Sequence, residues 1–180
     1  GDWAQSIAGS GGIYVANTTP YRDNPMNPVV SLVARIVQIR SVPRGETVGY
    51  GAAWTAPRIT RLAVVAAGYG DGYARANGAI DGDTGADAMV AGQRCPVIGR
   101  VSMDLLAIDI TNLPEHAAHR GDLVTLIGGD VTLDEVAANA GLIPYEVLTG
   151  LGRHRGRQYI AAPAETDAAP SQIGRASCRE

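Results

Sequence analysis

Three short glycine-containing segments hold the side chains best suited to chemistry. In the first, Val48 to Trp54, Tyr50 stands between two glycines at the edge of a strand or turn. Glycines there allow another backbone or a ligand to approach the phenol closely. Such access would let a ligand contact the phenol. On local sequence alone, however, a partly buried packing tyrosine whose glycines only shape a bulge is the simpler interpretation.

The second segment, Gly68 to Tyr73, has the glycine content of a phosphate-binding loop. Its glycine order does not match a nucleotide-binding loop, however, and it has no lysine. A glycine-shaped loop at the end of a strand is the simpler interpretation.

The third segment, Val97 to Asp104, is a strand that meets a polar bend. We expect Asp104 to cap this bend or to pair with Arg100, which is a structural role rather than a catalytic one. Ser102 has no nucleophile elbow around it, so no serine triad is predicted.

Neither the histidines nor the cysteines have the spacing of a metal site. His116, His119 and His154 are expected in loops or beside helices. Cys95 and Cys178 belong to no CxxC or Cys/His arrangement. The sequence therefore predicts no metal site, and both cysteines are interpreted as non-functional.

Charge and hydropathy exclude several classes of partner. The net charge is −3 and the isoelectric point is about 5.6, and the basic cluster at 153–157 is too small to bind nucleic acid. No apolar run approaches the ~18 residues of a membrane span, and the first residues lack the pattern of a signal peptide. We therefore expect a cytoplasmic protein with no nucleic acid or membrane partner.

All 15 residues counted as lysine or arginine are arginines. A Schiff base with a cofactor or a carbonyl substrate requires a lysine amine. No such bond can form on these 180 residues.

The elements that must position the three segments are mostly strands. A β-branched run from Val29 to Ile39 ends before Pro43 and Gly45, as a long strand would. Further strands are predicted at 47–55, 60–67, 88–90, 94–97, 105–110 and 123–127. Many short strands at this spacing favour a closed or nearly closed β-barrel or a sandwich.

Helix is predicted only after these strands. Thr132 and Glu135 form a T-x-x-E capping box, and Gly141 is a C-terminal stop. A second short helix is expected to begin near Pro144.

The expected organisation is one β-domain over residues 24–162. Residues 1–23 are expected to be a lead-in and linker, and residues 163–180 a disordered tail. Residues 172–180 fit nothing before them and are interpreted as non-native, because the reverse-translated segment permits a common sequencing-adapter string.

In their order and spacing, the segments resemble the C-terminal domain of bacterial alanine racemases. The resemblance runs from about Asn24 to Tyr159. Six motifs carry it: N-P-M-x-P-V-V at 24–30, V-G-Y-G-A-x-W at 48–54, G-Y-G-D-G at 68–72, I-G-R-V-S-M-D at 98–104, G-D-x-V-x-L-I-G at 121–128 and Y-E-V-L-T-x-L-G at 145–152. Several ordered motifs are more specific than any one alone, so the resemblance favours chemistry over packing for Tyr50.

The resemblance implies that a TIM barrel carrying pyridoxal 5'-phosphate precedes this domain in the full-length enzyme. Racemisation removes a proton from one face of the α-carbon and returns it to the other, which requires two positioned acid/base groups. In the family, a barrel lysine and a tyrosine of this domain serve the two faces, while the cofactor takes up the carbanion's electrons. Tyr50 matches that tyrosine and would be the base for the L enantiomer.

A phenol has an ordinary pKa near 10, so it acts as a base at neutral pH only where positive charge or hydrogen bonds favour the phenolate. The resemblance implies that this help comes largely from the barrel domain. It also implies that the tyrosine reaches the cofactor of a partner subunit in a head-to-tail homodimer. We therefore expect this chain, roughly the last half of a gene product, to be inactive alone.

The resemblance assigns further roles residue by residue. Met103 matches the residue whose backbone N–H contacts the substrate carboxylate. Tyr69 and Arg100 match residues that line the substrate entrance, where an arginine would attract a carboxylate. Asp71 and Asp104 match architectural positions.

Two departures affect the cofactor. The arginine expected just ahead of the G-x-x-Y stretch at 11–14 is not recognisable, and Arg155 stands near where relatives often carry a tyrosine against the cofactor phosphate. The cofactor-binding residues of this chain are therefore left unassigned.

Two other functions stay open beside an alanine racemase that makes D-alanine for the cell wall. One is a racemase of similar type that acts on another amino acid. The other is a stand-alone β-domain that binds a partner or a small acid without catalysis, which the lysine-free composition also fits.

Overall fold

The computed structural model describes residues 29 to 151, except 82 and 84, together with 158 and 159. Within these residues there are eight strands: β1 Leu32–Val42, β2 Thr47–Val48, β3 Trp54–Thr55, β4 Thr60–Val65, β5 Asp87–Val90, β6 Gln93–Ile98, β7 Leu106–Asp109 and β8 Leu123–Ile127. Six of them close into an antiparallel barrel in the order β1, β4, β7, β6, β5, β8. The expected mainly β fold is confirmed, in its closed form. The predicted lead-in and tail lie outside the described residues.

Strand β1 closes the barrel because it is long enough to pair with two neighbours. Its first half pairs with β8, from Leu32 opposite Ile127, and its second half pairs with β4, as far as Val42 opposite Thr60. Side chains alternate across the strand, so that Ile36 is buried while Val37 is exposed. The alternation covers the first half of the run, from Val33 to Val37, and a register shift between Ile36 and Gln38 then interrupts it.

The barrel interior and two short helices form one apolar core. Helix α1, Leu133–Asn139, and helix α2, Pro144–Gly150, contribute Val136 and Val147 to the cluster that fills the barrel. The predicted capping box begins α1: the Thr132 hydroxyl accepts from the backbone N–H of Glu135, and the Glu135 carboxylate accepts from that of Thr132. Both predicted helices are therefore confirmed.

Strands β2 and β3 form a small hairpin outside the barrel sheet. Thr47 pairs with Thr55 and Val48 pairs with Trp54. A second, smaller core holds the hairpin against the barrel, and its buried members are Val42, Val48, Ala56, Leu62 and Ile98. Burial of each of the larger members, the valines, Leu62 and Ile98, contributes about 1.5–3 kcal/mol, which fixes the position of the hairpin on the barrel wall.

The prediction of a single strand over 47–55 is wrong. Gly49, Gly51 and Ala52 have φ values of 86°, 73° and 53°, which reverse the chain between β2 and β3. The left-handed region is costly for a residue with a Cβ, so Ala52 is a strained position in the turn that carries Tyr50.

Candidate functional site

Tyr50 lies at the tip of the β2–β3 hairpin, and the residue is 70% exposed. The backbone beneath it is fixed, because the N–H of Ala52 donates to the carbonyl of Gly49 across the turn. The turn therefore presents the phenol to the outside of the described domain.

The hairpin contacts the bend after β6 through two glycines. A Cβ on Gly49 would lie 2.7 Å from the backbone nitrogen of Arg100, and a Cβ on Gly99 would lie 2.7 Å from the carbonyl oxygen of Val48. Both glycines also have positive φ values. Only residues without a Cβ allow this approach, which explains Gly49, just before Tyr50, and Gly99, just before Arg100.

Arg100 extends from this bend along the Tyr50 turn. One terminal nitrogen of its guanidinium, Nη1, is 3.4 Å from the position that a Cβ would take on Gly51. The expected pairing with Asp104 is not found, since the ion pairs of the described residues do not include it. The guanidinium of Arg100 therefore places a positive charge beside the tip of the hairpin.

Tyr69 and Met103 meet through their backbones. The N–H of Tyr69 donates to the carbonyl of Ser102 at 3.0 Å, and that of Gly70 donates to the carbonyl of Met103 at 2.9 Å. A Cβ on Gly68 would lie 2.3 Å from the Met103 carbonyl oxygen. The glycines of this loop therefore serve a close backbone contact, and the three-residue 3-10 helix Tyr69–Asp71 begins at that contact.

A tight turn holds Met103 at its exposed end. The Ser102 hydroxyl donates to the carbonyl of Leu105 and accepts from its backbone N–H. The Met103 side chain is 54% exposed, and its backbone N–H meets no acceptor within the described part of the chain. Ser102 thus has a structural role, and the N–H of Met103 is available to a ligand.

Asp71 supports the loop from inside. Its carboxylate accepts from the backbone N–H of Gly68 at 3.0 Å, and the residue is 6% exposed. This contact agrees with the architectural role that the resemblance implies for Asp71.

All four site residues predicted from the sequence therefore lie in or next to the bend at 98–104. The bend at 98–104 contains Arg100 and Met103, touches the Tyr50 hairpin through Gly49, and binds the backbone of Tyr69. Sequence reasoning gave no role to Asp81, although this residue binds the backbone of β3. Its contacts are long-range and leave no local pattern.

The histidines and the cysteine of the described part of the chain lie apart from this site. His119 is exposed and stands 3.5 Å from the Asp122 carboxylate. Burial raises the pKa of the Cys95 thiol to about 11, which keeps the thiol protonated at neutral pH. Within the described residues no group of three or more acidic, His or Cys side chains could hold a metal. His154, Arg155 and Cys178 lie outside them.

A search of the described helices finds none with the length and apolar character needed to span a membrane.

Comparison with known families decides the class of the protein. The family model described as "Alanine racemase, C-terminal domain" matches residues 29–159. The chain belongs to this family. The resemblance drawn from the ordered motifs is thereby confirmed, and these strands and turns are those of an alanine racemase C-terminal domain.

Several alanine racemases are close relatives of the chain. That of Methylobacterium sp. (strain 4-46) is 52% identical over 148 residues, which are 82% of this chain and 39% of the relative. The catabolic alanine racemase of Agrobacterium fabrum is 50% identical over 137 residues, which are 76% of this chain and 34% of the relative. The chain thus spans well under half the length of these relatives.

Solved alanine racemase structures share the fold. The biosynthetic alanine racemase of Pseudomonas aeruginosa matches with a TM-score of 0.71 at 39% identity, over 83% of this chain and 41% of that chain. The enzyme of Bartonella henselae, solved with covalently bound pyridoxal phosphate, has the same TM-score at 32% identity, over 83% and 40% of the two chains. The likeness therefore extends to the backbone of the alanine racemase C-terminal domain.

Proposed function

We propose that this chain supplies the C-terminal part of a pyridoxal phosphate-dependent alanine racemase, in which Tyr50 carries the proton on the L face of the substrate. The observation that supports this most is the exposure of Tyr50. The residue is 70% exposed, while Gly49 before it brings the backbone into close contact with the Arg100 bend. A packing tyrosine would bury its ring, whereas a proton carrier must present its hydroxyl at a defined place.

The other proton carrier must come from a different part of the enzyme. Racemisation by two bases needs a group on each face of the α-carbon, and these 180 residues contain no lysine to form the cofactor's Schiff base. Pyridoxal phosphate, when bound, takes up the electrons that the departing α-proton leaves behind. The residues described here fit one wall of such a site, and we assign the lysine and the covalent attachment to a barrel domain. On this basis the isolated chain is inactive.

Met103 and Arg100 fit the binding of an amino-acid carboxylate. The Met103 N–H meets no acceptor among the described residues and stands at an exposed turn. The Arg100 guanidinium beside the hairpin adds an attractive charge at short range. We therefore propose that Met103 holds the carboxylate through its backbone, and that Arg100 and Tyr69 guide the substrate at the entrance.

The exposure of this face also supports a site shared between subunits. Tyr50, Tyr69 and Met103 are 70%, 45% and 54% exposed and lie in or beside the bend at 98–104, so together they offer exposed apolar and aromatic surface to a partner. We propose that the barrel domain of a partner subunit covers them in a head-to-tail homodimer, with alanine bound between the two.

The test uses a full-length enzyme made by joining this chain to the N-terminal part of the Methylobacterium sp. (strain 4-46) racemase. Conversion of L-alanine to D-alanine is followed with D-amino-acid oxidase. Tyr50→Phe should lower the rate by at least about 100-fold, since it removes the acid/base group and keeps the ring. Tyr73→Phe is the matched control, because the buried Tyr73 hydroxyl lies in the barrel core.

Undiminished activity of Tyr50→Phe would refute its role as a base. If the enzyme racemises another amino acid and not alanine, alanine is not the substrate and that amino acid takes its place in the proposal. Turnover by the 180-residue chain alone would refute the need for a separate lysine.

A further inference from the structure

Asp81 makes a three-point contact with the strand that follows Tyr50. One oxygen of its carboxylate, Oδ1, accepts from the backbone N–H of Thr55 at 2.6 Å, and the other, Oδ2, accepts from the Thr55 hydroxyl at 2.8 Å. The Asp81 backbone N–H donates to the carbonyl of Ala53 at 2.9 Å. Asp81 thus binds Ala53, just before β3, and Thr55, the last residue of β3.

The hairpin needs such outside support. Strands β2 and β3 have two residues each, with only two residue pairs between them, and an isolated two-stranded hairpin is marginal in water. The turn between them also holds Ala52 at a φ of 53°. On the β2 side, Val48 is buried in the small core and Gly49 rests on Arg100. On the β3 side, Ala56 is buried in the same core and its N–H donates to the carbonyl of Glu46. Thr55, by contrast, is exposed, and Asp81 binds the hairpin there.

We propose that Asp81 is a positioning residue for Tyr50. Its carboxylate fixes β3, so that the turn at 49–52 stays seated against the Arg100 bend and the phenol keeps one place and direction. A charged acceptor strengthens a hydrogen bond, so the Asp81 carboxylate can hold Thr55 although this strand is exposed. The inference rests on the proposed role of Tyr50 as the base for L-alanine.

The neighbouring Asp83 provides a matched control. It lies two residues further along the same loop, is also exposed, and its carboxylate forms no hydrogen bond or ion pair with the described residues. Asp81→Ala removes both carboxylate contacts. Asp81→Asn keeps an oxygen for the Thr55 N–H and adds an amide that can donate to the Thr55 hydroxyl. It should therefore rescue part of the effect.

The experiment uses the full-length racemase described above and measures how fast the α-proton of each enantiomer exchanges with solvent deuterium. Exchange from L-alanine reports on the Tyr50 face, and exchange from D-alanine reports on the lysine face. Asp81→Ala should lower kcat and L-alanine exchange by about 10- to 100-fold, because small misplacements of a catalytic group have effects of that order. Exchange from D-alanine should stay within about twofold, and KM should change little. Asp81→Asn should fall between the wild type and Asp81→Ala, and Asp83→Ala should match the wild type.

A second readout needs no activity. In the 180-residue chain with Trp3→Phe, the fluorescence of Trp54 reports on the hairpin alone. Asp81→Ala should make Trp54 more accessible to acrylamide than Asp83→Ala does. Equal quenching in the two variants would overturn the proposal, as would equal loss of L- and D-alanine exchange, which marks a general loss of structure. If Tyr50→Phe lowers L-alanine exchange and Asp81→Ala does not, the positioning role fails while the proposed function stands. If Tyr50→Phe leaves L-alanine exchange intact, both fail.

Discussion

Replacement of Gly49 by alanine tests the close contact on which the placement of Tyr50 depends. The matched control is Gly45→Ala, at the other end of β2. Gly45 and Gly49 have φ values of 87° and 86°, so alanine meets the same backbone strain at both. Only Gly49 is crowded: its Cβ would lie 2.7 Å from the Arg100 nitrogen, whereas nothing lies within 4 Å of a Cβ on Gly45. The difference between the two variants isolates the contact.

The structure gives the expected size of each effect. An alanine in the left-handed region costs about 1–2 kcal/mol. Alanine also lowers the conformational entropy of the unfolded chain, which offsets about 0.4–1 kcal/mol of this cost. Gly45→Ala should therefore lower the free energy of unfolding by roughly 1 kcal/mol. Gly49→Ala must in addition move the hairpin away from Arg100 until the 2.7 Å contact opens to an ordinary one. Overpacking of this kind costs about 1–3 kcal/mol. We expect Gly49→Ala to be less stable than Gly45→Ala by that amount.

Two assays measure the outcome. Urea unfolding of the 180-residue chain gives the free energy of unfolding for each variant. Racemisation by the full-length enzyme described above gives the functional effect, and a shift of the Tyr50 turn by a fraction of an ångström should lower kcat by about 10- to 100-fold in Gly49→Ala alone. Equal stability and equal activity in the two variants would show that the hairpin does not rest on the Arg100 bend.

Three further predictions concern the barrel. Burial raises the pKa of Tyr73, whose hydroxyl has no partner among the described residues. The neutral phenol therefore contributes its full stability below about pH 10, and this contribution is lost as the pH rises toward the folded pKa. Tyr73→Phe should reduce that alkaline loss in urea titrations. The backbone hydrogen bond from Thr132 lowers the pKa of Glu135, so the ionised carboxylate contributes stability above about pH 4 that is lost in acid. In Glu135→Gln, the free energy of unfolding should fall less as the pH is lowered. Gly68→Ala, with a Cβ 2.3 Å from the Met103 carbonyl oxygen, should lower stability by more than about 3 kcal/mol, measured by the same titration.

Local chemistry explains what the sequence predicted well. The capping box of Thr132 and Glu135 lies within four residues of chain and appears as expected at the start of α1. The long β1 strand follows from a run rich in β-branched residues that ends before Pro43 and Gly45. The ordered motifs named Tyr50, Arg100 and Met103 as site residues; the structure places all three in or beside the bend at 98–104, and their roles stay predictions.

Long-range geometry explains what the sequence did not predict. The break of 47–55 into two strands depends on positive φ values at Gly49, Gly51 and Ala52. The two glycines permit a turn as well as a bulge, and alanine carries no turn signal, so the local sequence does not decide between one strand and two. Asp81 binds Thr55 across 26 positions in an exposed loop, where neither periodicity nor a motif marks it. The pairing of Asp104 with Arg100 was inferred from proximity in sequence, but the guanidinium extends along Gly51 instead.

We propose that Tyr50 serves the L face of the substrate and that a residue outside this chain serves the D face. The initial rate of α-deuterium incorporation into L-alanine and into D-alanine, by full-length enzyme with and without Tyr50→Phe, separates the two faces. We predict that the substitution lowers incorporation into L-alanine by at least about 100-fold and leaves incorporation into D-alanine within a few-fold. Equal loss on both faces, or unchanged incorporation into L-alanine, would show that Tyr50 is not the base for the L face.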